Sequence, residues 1–379
     1  MKQQIVHLWK SSNKRTLFMV GLVLLIWIVF NWLSGGYILR AENLANLFRQ
    51  VTVVAILATA MTLIIVAGHI DLSVGSALGM MGALAAALIA KMGLDPVLSI
   101  MLILCLGFGV GCMHGALTFY LNMPAFVVTL GGLIAYRGIT QYVARESIPL
   151  RTPWIKAIAQ NTIPDWLAVA LLVLVLAVLL ISILKMRADH KKAGLGVDPL
   201  WIDVTKYIAT AAVMALLVGL LISGNGVPIE FVLFLSIAFI VSLIAKFTRF
   251  GHYVYAIGGN KQAAFYSGIS IARNTVLVFG LMGLLSAVAG IVTIAELNAA
   301  APDIGELKEL EAIGACVIGG TSLMGGSGVI GMSVMGALIM ASIKNGMSMV
   351  GIVAQTQKVI LGALLVVAVA LDQWSRRRK

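Results

Sequence analysis

In a chain this apolar, the informative residues are the few that can hydrogen-bond, titrate or hold a ligand, and most of them gather in two segments. The first reads Gly68-His-Ile-Asp-Leu-Ser-Val-Gly75 and sets His69, Asp71 and Ser73 between two apolar runs. An ionisable residue at membrane depth is costly to keep there and points first to function. Asp71 could hydrogen-bond a hydroxyl of a passing solute or fix a broken backbone. Equally, Asp71 or Ser73 could cap a helix by accepting its exposed N–H groups. The second segment, Gly319-Gly-Thr-Ser-Leu-Met-Gly-Gly-Ser-Gly328, carries Thr321 and Ser322, and Asn345 follows near the end of a later apolar run. His69, Asp71, Ser73, Thr321, Ser322 and Asn345 are therefore the candidates for polar groups along a passage. The two segments also echo each other, since each is followed by further glycines and Ala-Leu, as expected of two halves built from related broken-helix elements.

Other chemistry is excluded by what is missing. No G-x-x-x-x-G-K-[ST] loop occurs, so the chain offers no ATP site of the usual kind. Gly326, Gly328 and Gly331 fit G-x-G-x-x-G, but no acidic residue follows until Asp372 and no βαβ unit surrounds them. Such glycines, like Gly107, Gly109 and Gly111, are read as sites of close helix approach or of broken backbone lining a cavity. No H-E-x-x-H or G-x-S-x-G is present, and a metal site from His69 and His114 would need further ligands. Cys105, Cys112 and Cys316 are odd in number and lie in apolar runs, which argues against a disulfide framework or zinc. No catalytic, cofactor or metal site is expected. His114, Arg137, Lys344 and Lys358 are expected to pair or to snorkel.

The elements that hold these residues follow from composition. Hydrophobic residues make up 60% of the chain and charged ones 11%, against about 45–50% and about 25% in soluble domains. Burial capacity grows too slowly with size to hide that much apolar surface in water. The chain is therefore read as an all-α, polytopic membrane protein. Twelve apolar runs are candidate spans: 16–33, 50–67, 72–90, 97–121, 125–143, 166–184, 206–223, 229–245, 274–295, 311–318, 329–343 and 350–371. A crossing helix needs about 20 residues, so the short runs predict broken or re-entrant elements among ten to twelve crossings, even in number. Residues 16–372 form one membrane domain between an N-terminal segment, 1–15, and a basic tail, 373–379. The first span has no small-residue cleavage site before Gly35 and is expected to stay uncleaved.

The net charge of +12 would suggest nucleic acid in a soluble protein, but aromatic-flanked basic grooves are absent. The basic residues instead cluster in 1–15, 185–192, 246–273 and 376–379, which the positive-inside rule assigns to the cytoplasm. Both termini are expected there, and the acidic stretch 296–311 outside. Segment 144–165, of mixed charge, is placed outside only by alternation.

The segment 246–273 is the most informative loop. Gly258 and Gly259 predict a break, and Asn260 an N-cap. A short helix with Ala263, Ala264 and Phe265 follows and ends at Gly268. Such a helix, with no bilayer to enter, suits a groove on a partner protein or lies on the lipid surface.

Here the sequence resembles a known family. Tyr255-Ala-Ile-Gly-Gly-Asn260, Ala263-Ala264 and Ser267-Gly-Ile269 are similar to the cytoplasmic signature of the ribose/xylose-type sugar permeases, the membrane subunits of bacterial ATP-binding-cassette importers. Ile70-Asp-Leu-Ser-Val-Gly-Ser76, Pro124-Ala-Phe-Val-Val-Thr-Leu-Gly131 and Tyr136-Arg-Gly-Ile139 resemble the family's first half. Residues 309–323 and 340–349 and the basic tail resemble its second, so the likeness runs over roughly 41–379. The spans of 166–223, joined by the basic loop 185–206, resemble a pair that xylose-type members have and ribose-type members lack. Leu310-Glu-Ala-Ile-Gly-Ala315 departs from the family's usual Leu-Asp-Ala-Ile-Ala-Ala and leaves that acid's role open. The resemblance implies a homodimeric permease of the bacterial inner membrane that binds no cofactor itself. It would take a monosaccharide, D-xylose before arabinose, galactose or ribose, from a periplasmic binding protein. A separate ATPase using ATP and Mg2+ would drive it by gripping Gly258, Gly259, Asn260, Ala263, Ala264, Gly268 and Ile269. The rival is an ion-coupled secondary carrier, in which Asp71 is the only acid resembling a proton relay.

Overall fold

A computed structural model describes residues 2–194, 199–224 and 226–377. Met1, residues 195–198 of the basic loop, Asn225 and the last two residues of the tail, 378 and 379, lie outside the described residues. In chain order the elements are α1 (Lys2–Leu33), α2 (Ala41–Val66), α3 (Val74–Ala86, prolonged by a π-helical turn, Ala87–Lys91), α4 (Pro96–Tyr120) and α5 (Ala125–Val143). Then come β1 (Ile148–Pro149), α6 (Pro153–Gln160), α7 (Asp165–Lys192), α8 (Leu200–Ser223), α9 (Ile229–Phe247), α10 (Arg249–Gly259) and α11 (Lys261–Tyr266). The last are α12 (Ile271–Leu297), β2 (Ala299–Ala300), α13 (Lys308–Ile318), α14 (Ile330–Met349) and α15 (Ala354–Arg377). Proline sets many boundaries. Pro124, Pro164, Pro199 and Pro228 each stand at an N-cap, where a missing N–H forfeits no helical bond.

Among the described residues nine helices are long and apolar enough to cross a bilayer, against the twelve apolar runs of the sequence. The three that differ have physical reasons. Helix α5 has 19 residues but is interrupted by Arg137 and other polar groups. Helix α13 has 11 residues, or about 16 Å at 1.5 Å per residue, roughly half the hydrocarbon thickness. The apolar part of α15, Ala354–Ala370, is also short.

The order of long helix, break, short helix and two further helices occurs twice. Helix α2, segment 67–73, α3, α4 and α5 make the first set; α12, segment 298–307, α13, α14 and α15 make the second. The sets run oppositely. Helix α2 ends beside α10 at one end of the molecule, where α12 begins, while Arg49 of α2 and Glu296 of α12 share a cavity at the other. The echo expected between 67–84 and 319–338 is thereby corrected. By order, the counterpart of 67–73 is 298–307, and 319–329 is the turn between α13 and α14. Glycine and serine content had matched two different kinds of turn.

The half-helices cross over, α3 packing on α12 and α13 on α2, and their N-termini abut. A Cβ on Gly305 would overlap the Gly75 carbonyl, and one on Gly75 would overlap the Glu309 carboxylate. Helix α2 runs through the centre, buried almost throughout. Helix α4 lies along α12 through Gly107, Gly111 and Gly115, where added Cβ atoms would strike α12 backbone; close approach through small residues is how helices gain packing in lipid. Gly109, expected to join them, has no atom within 4 Å of its Cβ position. At the periphery, only Ala168 of α7 and Asp203 and Leu221 of α8 are buried among the described residues. Arg187 pairs with Asp203 across that hairpin.

The charge pattern sorts by end. Arg15, the basic end of α7 and the α10–α11 segment share one end. At the other, β1 pairs antiparallel with β2, Ile148 opposite Ala300 and Pro149 opposite Ala299. This ribbon puts 144–165 on the same side as the acidic stretch 296–311, a placement for which charge alone gave no warrant. Opposed Cα atoms in such a pair stand about 4.5–5.5 Å apart, within disulfide reach. An Ile148→Cys/Ala300→Cys double variant should lose both new thiols on mild oxidation in the membrane while neither single variant does. Two thiols still free, read by mass after alkylation, would contradict the ribbon.

Candidate functional site

The segment between α9 and α12 is a pair of short helices at a kink. Thr248 caps α10, its Oγ1 accepting from the Gly251 N–H at 3.2 Å, and Asn260 caps α11, its Oδ1 accepting from the Ala263 N–H at 3.0 Å. Gly268, at φ +77°, closes α11. The break expected at Gly258–Gly259 falls one residue later. Both glycines complete the last turn of α10, and the chain turns at Asn260 with φ −158° and ψ 103°.

What Gly258 supplies is proximity. A Cβ there would overlap the Val66 carbonyl oxygen and stand 2.7 Å from the Gly326 nitrogen. That same Val66 carbonyl accepts the Gly326 N–H at 2.8 Å. A Cβ on Gly325 would come within 2.8 Å of the Gly258 carbonyl oxygen and 3.2 Å of Gly68. Tyr255 of α10 donates its hydroxyl to the Gly328 carbonyl at 2.7 Å; burial pushes its phenol above the ordinary value, so it stays a donor. Thus the end of α2, the break 67–73, α10 and the turn 319–329 meet backbone to backbone. The Arg15 guanidinium fills the space beside Gly320 in the same turn. On α11, Ala264 is buried in a cluster with Ile257 and Ile271. Phe265 and Tyr266 are 65% and 85% exposed.

The break itself is held by polar groups. Asp71 is 3% exposed, and its Oδ1 accepts the Ser73 N–H at 2.8 Å and the Ser73 hydroxyl at 2.6 Å. The Leu72 N–H donates to Thr129 Oγ1 of α5 at 3.1 Å. Ser73 occupies the N-cap of α3, yet its side chain makes no cap hydrogen bond. Asp71 therefore fixes its own turn and does not cap the helix. Hydrogen bonds to a charged group contribute about 1.5–3 kcal/mol, and a buried group left unpaired costs about as much. In the turn 319–329, Thr321 and Ser333 share a hydroxyl bond at 3.1 Å, and the Ser322 N–H donates to the Ser327 carbonyl at 2.8 Å. Asn345 exchanges amide bonds with Asn43 at 3.0 and 3.2 Å, tying the end of α14 to the start of α2. Of the six candidates for a passage, five are buried within the packed interior. His69 is half-buried, its ring 5.6 Å from that of Phe279.

Open space at the other end is lined by residues that the sequence reading did not place along a passage. Glu311 accepts from Lys308 Nζ at 2.7 Å and Lys344 Nζ at 2.8 Å, and Glu306 pairs with Lys358 at 3.1 Å. Arg49 stands 3.8 Å from the fully buried Glu230 and donates to the Gln160 carbonyl at 3.4 Å. A vestibule of about 570 Å³ opens between Arg49, Gln160, Asn161, Thr162 and Glu296. A second cavity, of about 210 Å³, shares Glu296 and adds Gln50, Lys308, Glu311 and Lys344. The expected pairings of the other lone polar groups are present, with Tyr136 bonded to His114 Nε2 at 2.7 Å and Arg137 donating to the Ile304 carbonyl at 3.4 Å. Lone charges in apolar runs were the available signal for the vestibule; their convergence from α2, α12, α13 and α14 was not readable.

A crossed pair of half-helices inside a bundle of apolar helices is the architecture of a membrane permease, and the comparisons agree. The family described as the permease component of branched-chain amino acid transport systems matches residues 43–369. The chain belongs to this family of permeases, the multi-pass membrane subunits of ATP-binding-cassette importers whose ATPase is a separate protein, and it is homologous to permeases of the bacterial inner membrane. It is 36% identical over 372 residues to the xylose transport system permease protein of Escherichia coli (strain K12), covering 97% of this chain and 94% of that one. It is 34% identical over 370 residues to the xylose transport system permease protein of Haemophilus influenzae, covering 97% and 99%. The ribose import permease protein of Bacillus subtilis (strain 168) is 32% identical over 376 residues, covering 98% and 96%. No solved structure matches the chain.

The junction makes a discriminating pair of substitutions. Gly258→Leu drives a side chain into the Val66 carbonyl, and overpacking of this kind costs about 1–3 kcal/mol. The thermal midpoint of the purified protein in detergent should fall. Gly259→Ala, whose Cβ meets nothing within 4 Å, should leave it nearly unchanged; equal effects would contradict the close approach.

Proposed function

We propose that this chain is the permease of an ATP-driven monosaccharide importer, with D-xylose as its first substrate, working as a homodimer with both termini in the cytoplasm. A periplasmic binding protein delivers the sugar at the end that carries the vestibule. The ATPase, which uses ATP and Mg2+, docks at the end that carries α11. The observation that carries the sugar reading is the similarity to two xylose permeases along nearly the whole chain. The ribose permease is only a few points less similar, and the family's description names branched-chain amino acids, so substrate choice belongs to the test.

The mechanism follows from the junction. Exposed Phe265 and Tyr266, with Ala263 beside them, offer the apolar face that a partner groove would cover. Ala264 anchors α11 inward, and Asn260, Gly268 and Ile269 hold its ends. Closure of the ATPase pair displaces α11 and α10, and Gly258 and Gly259 pass that displacement to the end of α2 and the turn 319–329. The two oppositely directed sets then rock about their crossed half-helices, in alternating access. His69, Asp71, Ser73, Thr321 and Ser322 sit where those sets meet and become the wall of the passage as it opens. Asn345, bonded to Asn43, is the tie at the outer end.

Uptake into vesicles tests this reading. D-xylose should accumulate only when this chain, the ATPase, the binding protein and ATP are all present, with D-ribose and leucine as comparison substrates. Accumulation by the chain alone, abolished by a protonophore, would contradict it and favour an ion-coupled carrier with Asp71 as relay. A Phe265→Ser/Tyr266→Ser variant should cut ATP-dependent uptake at least ten-fold while leaving the thermal midpoint of the isolated permease unchanged.

A further inference from the structure

We propose that the cavity of about 210 Å³ between α2, α12, α13, α14 and α15 is a sugar-holding station within a single chain, in which Glu296 and Gln50 bond the hydroxyls of a neutral monosaccharide. The inference rests on the sugar-transport reading above and adds where on this chain the sugar is touched. Three observations carry it.

The first is the division of labour among the polar groups. The Glu311 carboxylate is engaged by both Lys308 and Lys344, at 2.7 and 2.8 Å. Among the described residues the side chains of Glu296 and Gln50 have no hydrogen-bond or ion-pair partner, and both line the cavity. A carboxylate accepts only, whereas an amide both donates and accepts. Together they match hydroxyls, which do both.

The second is charge. Glu296 and Glu311 face Lys308 and Lys344 across the same space, so formal charge cancels and no net charge selects an ion. A neutral ligand is favoured over an anionic or cationic one. Val53, Val54, Met340, Ala341 and Leu361 give the C–H face of a sugar ring an apolar surface, and Thr293 completes the wall. Polar groups that orient a ligand thus stand beside apolar ones that give it contact area, as in small-molecule sites.

The third is access. Glu296 belongs to both this cavity and the 570 Å³ vestibule, and Arg49 and Gln50 are consecutive residues on α2, one in each. A ligand entering past Arg49 meets Glu296 first and reaches Gln50 without leaving polar contact. The volume lies below the about 300–1,000 Å³ of pockets for drug-sized ligands, so the occupant is small.

The test uses the complete importer in vesicles, with D-xylose as probe, and reads two quantities: sugar uptake, and stimulation of ATP hydrolysis by the loaded binding protein. Glu296→Gln and the exposed Gln50→Leu should each lower uptake at least five-fold while stimulation stays within two-fold of the parent. Glu42→Gln, on α2 but outside the cavity, should change neither. Uptake unchanged in both variants overturns the assignment. Loss of stimulation together with uptake in both would make these residues part of the frame and overturns it too. A parent importer that carries none of D-xylose, D-ribose or leucine contradicts the transport reading itself, before any variant is compared.

Discussion

The contact on which the rest of this structure depends is the approach of Gly258 to the Val66 carbonyl. Helix α2 ends there, and the carbonyl left over at its C-terminus must find a donor away from water. The Gly326 N–H supplies it at 2.8 Å, and that geometry holds only because no side chain on Gly258 intrudes. One acceptor thus joins the end of the central helix, the short helix α10 and the turn leading into α14. Tyr255 adds a second tie between α10 and that turn.

Breaking helices inside a bilayer exposes backbone groups that lipid cannot satisfy, and each orphan is expensive. The chain meets this cost locally. Asp71 and Thr129 take the N–H groups of Ser73 and Leu72, and the half-helices α3 and α13 start against each other with glycines at 75 and 305 permitting the contact. Crossing α3 onto α12 and α13 onto α2 then links the two sets through the centre. At the opposite end, lysines and glutamates balance around open space.

Much of the fold was legible in the sequence, because hydropathy reports lipid exposure directly. The apolar first helix, the α7–α8 pair, the capped helix at Asn260 and the segregation of basic loops to one end all follow from local composition. What escaped was long-range. The true counterpart of 67–73 is 298–307, which shares no glycine signature with it, so likeness of composition pointed to 319–329 instead. Helix α13 was glimpsed as a run at 311–318 but begins earlier, at Lys308, because Lys308 and Glu309 read as loop until Glu311 is seen to pair with Lys308 and the α3 terminus to meet Glu309. At the candidate site, Asn260 and Gly268 were readable from cap chemistry. The role of Gly258 was not, since only the three-dimensional path of α2 puts Val66 beside it.

If the junction passes on the ATPase's movement as proposed, α10–α11, the break 67–73 and the turn 319–329 move as one body. Pulsed electron-spin distance measurements between labels at the exposed Gln262 on α11 and Met324 in the turn 319–329 test it most directly, with a second pair at Met324 and Tyr142, at the far end of α5. Comparing the assembled importer with and without bound nucleotide, the 262–324 distance should stay constant while the 324–142 distance shifts. A 262–324 distance that changes between the two states, with 324–142 fixed, would contradict the account.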